Sequence, residues 1–190
     1  MFLNSWKVIA LSIMAVFTYG CGSTMKGESD YNAEVNFAQY ESFAWVSPDP
    51  LISAPRNSNP DNIQRIKSEI VSVLTAKDYR QVEDTTAADF VVSFTVGTRE
   101  EINIQQYPVM YGGAWADRDL YSGRYGTAMN YETYVEQYTE GTLAIDILDV
   151  GTNSPAWHGW ATKKISGADR RDAAPLIKKA VNKILANFPP

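Results

Sequence analysis

The spacing of apolar and polar positions changes repeatedly along the chain, and each change predicts an element. Val8 to Phe17 (VIALSIMAVF) is an unbroken run of apolar and small residues. It is too short to cross a hydrocarbon core as a helix, which takes about 20 residues. Residues 22–34 (GSTMKGESDYNAE) are polar and aperiodic, so they predict a flexible tether with order beginning near Val35. Phe43-Ala44-Trp45-Val46 predicts a short strand stopped by Ser47-Pro48-Asp49-Pro50. A Pro- and Asn-containing loop then leads to Asn59-Pro60-Asp61. That triplet starts a helix well: a capping side chain, a proline in the first turn and a carboxylate at the positive end of the dipole. Ile63, Ile66, Ile70, Val73 and Leu74 follow at spacings of three and four, the stripe of an amphipathic helix ending near Lys77-Asp78.

Beyond it the period shortens to two. Tyr79 to Glu83 predicts a short strand, and Thr85 to Ala88 a turn. In the next strand Phe90, Val92, Phe94 and Val96 face one way while Val91, Ser93 and Thr95 face the other, so one face of the sheet is buried. Residues 105–130 lose all period and predict a long loop. Asn130 to Thr139 alternates again, with Tyr134 and Tyr138 opposite Val135. Glu140-Gly141 predicts a hairpin turn, Leu143, Ile145 and Ile147 the next inward face, and Gly151 to Ser154 a turn. Ala156 to Ile165 is the last strand. A closing helix follows, with Asp172 near its start, Pro175 in its first turn and a stripe of Ile177, Val181, Ile184, Leu185 and Phe188. Strands joined by tight turns imply an antiparallel meander. The expected fold is therefore α+β: two layers, a mostly antiparallel sheet with two amphipathic helices on one face.

The leader changes the picture of where this body works. Lys7 is the only charge before Lys26, and with the apolar run behind it the segment fits an export signal. Thr18-Tyr19-Gly20-Cys21 resembles the bacterial lipobox, in which a small residue precedes a cysteine that becomes the lipidated N-terminus. Gly20 and Cys21 fit it, whereas Thr18 and Tyr19 stand where Leu and then Ala or Ser are usual. A signal peptide cut nearby would instead leave a free thiol. Lipidation is preferred because Cys21 is the single cysteine and acylation accounts for an odd cysteine in an exported chain. The expected organisation is a lipoprotein signal peptide over 1–20, a tether over 21–34 and one α+β domain over 35–190. Two or three acyl chains such as palmitate would hold it to a membrane firmly. Gly22 stands where an Asp usually retains a lipoprotein at the inner membrane, so the expected address is the outer membrane, facing the periplasm.

Net charge is −5 over the chain and one unit more negative once Lys7 leaves with the leader. An acidic body has no field to attract nucleic acid. Its 12% aromatic content argues for a packed core and against disorder.

Five segments carry a family resemblance: Phe37-Ala-Gln-Tyr-Glu-Ser-Phe-Ala-Trp45, Ala88-Asp-Phe-Val-Val-Ser93, Glu140-Gly-Thr-Leu-Ala-Ile-Asp-Ile-Leu-Asp149, Ala156-Trp-His-Gly-Trp160 and Phe188-Pro-Pro190. In this order they resemble the bacterial lipoproteins grouped as domain of unknown function 4136. The resemblance implies an envelope lipoprotein with an α+β domain and implies no activity. It stops at the Tyr- and Gly-rich loop.

Few residues offer chemistry. His158 is the only histidine, which excludes a histidine-based metal cluster; between Trp157 and Trp160 it reads as a packed or surface imidazole. An acylated Cys21 is neither nucleophile nor zinc ligand, so no cofactor, metal or catalytic residue is expected. Asp117 with Asp119, and Glu100 with Glu101, are carboxylate pairs of the kind glycoside hydrolysis needs, but neighbouring acids are also common on solvated surfaces. Asp89, Asp146 and Asp149 read as turn and strand hydrogen-bond acceptors, and Trp45, Trp157 and Trp160 as core. The best candidate for contact is the aromatic loop: Tyr107, Tyr111, Trp115, Tyr121 and Tyr125 among Gly112, Gly113, Gly123 and Gly126. Aromatic faces stack on sugars and give rigid contact area to proteins; the same rings could also fold over the sheet as a satellite core. Three functions follow. The first is a membrane-held module binding an envelope protein or glycan through this loop, the second a glycan-acting hydrolase using loop carboxylates, and the third a coat component without a discrete ligand.

Overall fold

The computed structural model describes residues 24–47, 51–56, 58–109 and 130–190. Seven strands form one sheet: β1 (Lys26–Tyr31), β2 (Ser42–Trp45), β3 (Leu51–Ser53), β4 (Arg80–Gln81), β5 (Phe90–Val109), β6 (Asn130–Asp149) and β7 (Ser154–Lys164). The helices are α1 (Pro60–Ala76), α2 (Gly167–Arg171) and α3 (Ala174–Leu185). Strand order is β1-β7-β6-β5-β2-β4, with β3 also on β5. The fold is α+β with a mostly antiparallel sheet, and α1 and α3 cover one face.

The helix start at Asn59 works as its chemistry predicts. The Asn59 side chain accepts from the Asp61 backbone N–H at 2.9 Å, and Pro60 occupies the first turn. Ile66, Ile70 and Leu74 turn inward and are buried. They meet Phe90, Val92 and Phe94 of β5 and Ile145 and Ile147 of β6, each fully buried. The chain closes on Phe188, 0% exposed, whose ring lies 5.4 Å from Trp157, 5.5 Å from Phe90, 5.6 Å from Tyr79 and 6.0 Å from Phe37.

Four expectations need correction. Lys26–Tyr31, placed in the tether, is a strand paired with β7 from Lys26↔Thr162 to Tyr31↔Trp157. The meander is incomplete, because β2 runs parallel to both β4 and β5: α1 carries the chain back across the sheet, so the strands it separates point the same way. There is no turn at Glu140-Gly141. β6 is one strand of 20 residues through that point, with Gly141 paired to Thr98 on one side and Lys163 on the other. A Cβ there would lie 2.7 Å from the Ile165 Cδ1, so this glycine makes room for a neighbour rather than bending the chain. Finally, residues 105–109 and Asn130, placed in the long loop, belong to β5 and β6, paired as far as Val109↔Asn130.

Those two strands outrun the rest of the molecule. The described core reaches no further along β5 than Val96 and no earlier on β6 than Leu143. β7 stays paired with β6 as far as Glu140↔Lys164, and from Glu100↔Thr139 outward β5 and β6 continue as a two-stranded ribbon.

Candidate functional site

The ribbon presents two different faces. Alternation along β5 and β6 puts Ile102, Ile104 and Val135 on the side that the helices cover further in, with Ile104 directly opposite Val135. They are 57%, 63% and 55% exposed, far from the values of core residues. The other side carries Arg99, Glu101, Asn103 and Gln105 against Glu140, Tyr138, Glu136 and the exposed Tyr134. Its charges are tied together: Arg99 pairs with Glu101 and Glu140, Lys164 pairs with Glu136, and the Lys164 ammonium lies 4.7 Å from the centre of the Tyr138 ring. On the apolar side the Thr139 hydroxyl donates to Glu100 at 2.8 Å. Of the carboxylates proposed for hydrolysis, Glu100 and Glu101 are thus on opposite faces of a strand. Neighbouring residues of a strand cannot flank one scissile bond.

The aromatic candidates sit at the far end of this ribbon or past it. Tyr107 belongs to the outermost part of β5. Tyr111, Trp115, Tyr121 and Tyr125, like Asp117, Asp119 and Cys21, lie outside the described residues. The sequence reading placed Val135 on its own strand face but missed Ile102 and Ile104; the alternation of Ile102-Asn103-Ile104 between Glu100 and Gln106 was the available signal.

Across the uncovered face of the sheet one row of polar residues approaches a catalytic pattern. Ser93 pairs with Asp146, Asp146 with His158, and His158 with Asp30. The His158 Nδ1 lies 2.5 Å from Asp146 Oδ1, and its ring stacks on Trp160 at 5.1 Å. Ser93 is 1% exposed, and among the described residues its Oγ has no hydrogen-bond partner. The order is wrong for nucleophilic catalysis, because the carboxylate stands between hydroxyl and imidazole. Two strand spacings, about 9.6 Å, separate the serine from the base it would need within about 3 Å. His158 is a surface imidazole, as expected. Trp160 is a correction: it lies on this uncovered face, not in the core, because it is one residue out of phase with buried Trp157 and Ala161.

The remaining carboxylates are structural. Asp89 accepts from the Glu41 and Ser42 backbone N–H groups and the Ser42 hydroxyl at 2.8–2.9 Å, fixing the start of β2. Burial opposes its ionisation, but these donors and Arg80 outweigh it and hold the carboxyl below its ordinary range. Asp149 accepts from the Tyr40 hydroxyl at 2.7 Å and from Thr152 in the β6–β7 turn. Burial and this carboxylate together push the Tyr40 hydroxyl well above its ordinary value.

Asp169, in the capping box of α2, accepts from Lys163 at 2.6 Å and from Ser166. Burial works against the charge, yet these partners hold the carboxyl down to about 2. In the unfolded chain Asp169 takes its proton near 3.8, so between the two values the unfolded state binds more protons and falling pH favours it. The stabilisation is complete above about pH 5 and disappears as pH drops towards 2. Urea midpoints measured from pH 5 to pH 2 should therefore decline. Asp169→Asn should flatten that decline by on the order of 2 kcal/mol without abolishing it, since Asp89 and Asp149 act in the same sense. An unchanged slope in the variant would mean that the Lys163 pair contributes nothing.

Among the described residues no group of three or more His, Cys, Asp or Glu could hold a metal ion, and no helix is long and apolar enough to cross a membrane.

No curated protein matches the chain. Similar solved structures include a DUF4136 family protein from Bacteroides thetaiotaomicron, 15% identical over 87% of this chain and 96% of that one, with a TM-score of 0.53. A PDZ domain protein from Parabacteroides distasonis is 15% identical over 88% of this chain and 36% of that one, with a TM-score of 0.50. The PelC dodecamer from Paraburkholderia phytofirmans is 12% identical over 86% of this chain and 96% of that one, with a TM-score of 0.48. At such identities the likeness concerns the fold. The family model described as a domain of unknown function, DUF4136, matches residues 27–190, nearly all of the sheet and helices above, and the chain belongs to that family.

Proposed function

We propose that this protein is an envelope lipoprotein, fixed through acylated Cys21 to the outer membrane on its periplasmic side. It acts there without catalysis, as a binding or structural module. Residues 21–25 connect the acyl chains to β1. The aromatic, Gly-rich segment that begins at Tyr107 makes the contact, with Tyr111, Trp115, Tyr121 and Tyr125 as its rings. Its partner is another envelope protein or a glycan, since both are held by flat aromatic faces with an adaptable backbone around them.

One observation carries the reading: β5 and β6 extend beyond the core, and residues 110–129 join their outer ends. Two strands of 20 residues each that outrun the core suit an element that reaches for contact with something else. Hydrolysis has no comparable support, because Glu100 and Glu101 face opposite ways and Asp89, Asp149 and Asp169 are held in turns, a cap and an ion pair.

Capture from detergent-solubilised envelopes tests it. The full-length acylated chain should retain its partner protein or glycan, and a variant carrying Trp115→Ala and Tyr121→Ala should lose it by tenfold or more, about 1.4 kcal/mol or above, with an unchanged circular dichroism spectrum. Equal retention by the variant would remove the aromatic segment from the account.

A further inference from the structure

The chain enters the sheet at the same end from which the ribbon leaves it. Lys26 at the start of β1 pairs with Thr162, Thr162 with Thr142, and Thr142 with Gly97. This row crosses four strands. On one side of it lies most of the core; on the other lie residues 24 and 25, together with β5 from Thr98 and β6 from Gly141 outward. Met25 is buried, and with Ile66, Val96, Leu143 and Ile177 it lines a cavity of about 250 Å³ at this end. The N-terminal chain is thus attached to the body beside the ribbon's base.

The lengths are unequal. Met25 is four Cα–Cα steps from Cys21, a reach of at most about 14 Å. From Glu100 to Val109 the two-stranded ribbon runs nine steps, about 31 Å at 3.4 Å each. With Cys21 in a bilayer, the ribbon is longer than the space between body and membrane.

From this we infer that the ribbon lies on the lipid surface, with Ile102, Ile104 and Val135 set into the interfacial region of the bilayer that anchors Cys21. The inference rests on the anchoring reading above. Its chemistry is that of an amphipathic surface element: three exposed aliphatic side chains on one face, flanked by Glu100 and Gln137, and on the other a mainly charged and amide face that also carries Tyr134 and Tyr138. The ribbon cannot span the hydrocarbon alone, because both of its edges would leave backbone groups unpaired there. Lying flat, it keeps those edges in the hydrated headgroup layer. It also gains a cover that a two-stranded ribbon needs for stability. Five glutamates, Glu100, Glu101, Glu132, Glu136 and Glu140, stand on its arms against Arg99, so the lipid surface it suits is zwitterionic rather than anionic.

The experiment uses the acylated full-length chain in phosphatidylcholine–phosphatidylethanolamine vesicles. A polarity-sensitive dye is placed on Ile104→Cys, or on Gly151→Cys in the β6–β7 turn at the opposite end. The expected result is a blue-shifted emission from position 104 that bromolipids quench, and an unshifted emission from position 151 that an aqueous quencher reaches freely. Adding Ile102→Ser and Val135→Ser should reduce bromolipid quenching at 104 several-fold, and so should replacing a third of the lipid by phosphatidylglycerol. Intact mass is measured on the same sample. An acylated chain with position 104 in water, or buried against protein in a larger assembly, overturns the ribbon inference and leaves the anchor standing. An unacylated mass overturns both.

Discussion

Phe188→Ala is expected to lower the unfolding free energy by about 3 kcal/mol or more. The ring is completely buried and has Phe37, Tyr79, Phe90 and Trp157 around it at 5.4–6.0 Å. These rings come from four separate parts of the chain: the turn before β2, the segment after α1, β5 and β7. Truncation leaves a cavity that none of them can fill, because three of the four are themselves at most 7% exposed and held by the sheet or by helix α1. For a domain of this size the loss corresponds to a fall in Tm of roughly 10 °C. Urea unfolding should show a lower midpoint with an unchanged slope. A ring that merely rested on the surface would cost less than 1 kcal/mol, and that result would show Phe188 to be dispensable.

Gly159→Ala, a change of one methyl group, should cost a similar amount for the opposite reason. A Cβ at that position would stand 2.1 Å from Trp157 Cη2, 2.7 Å from Cζ2 and 2.8 Å from Ile184 Cγ2. The Trp157 indole lies flat over its neighbour two residues on, in space that only a missing side chain leaves open. Neither obstacle can retreat, with Trp157 at 2% and Ile184 at 1% exposure. Overpacking of this kind costs about 1–3 kcal/mol, and displacement of a whole indole puts it at the upper end. The two positions should couple: Trp157→Leu, destabilising alone, should lose much of its cost when combined with Gly159→Ala. Strict additivity of the two urea measurements would mean that the glycine is not there for the tryptophan.

These two positions also show what the sequence made legible. Helix α1 could be read because Asn59, Pro60 and the isoleucine stripe all signal the same element. The inner face of β5 could be read because Phe90, Val92 and Phe94 alternate without a break. Gly141 could not, because a glycine between alternating segments signals a turn equally well whether its missing Cβ serves the backbone or a neighbour; only Ile165 in place distinguishes them. β1 was hidden for a different reason. Its residues Lys26-Gly27-Glu28-Ser29-Asp30-Tyr31 carry almost no apolar signal, since the strand is held by its ladder to β7, and Gly27 sits under the Lys183 stem. The parallel direction of β2 depends on the path of α1, which no local pattern encodes. At the site, Tyr134 and Tyr138 opposite Val135 were legible from alternation alone. The length of the ribbon was not, because Glu140-Gly141 divided one strand of 20 residues into two.

The account as a whole depends on a covalent bond at one sulfur. Intact-mass and N-terminal fragment analysis of the protein recovered from cell membranes tests it most directly. The predicted result is a chain beginning at Cys21 that carries acyl groups and fractionates with the outer membrane, while Cys21→Ala appears in the soluble fraction. A water-soluble mature chain with a free Cys21 thiol would contradict it.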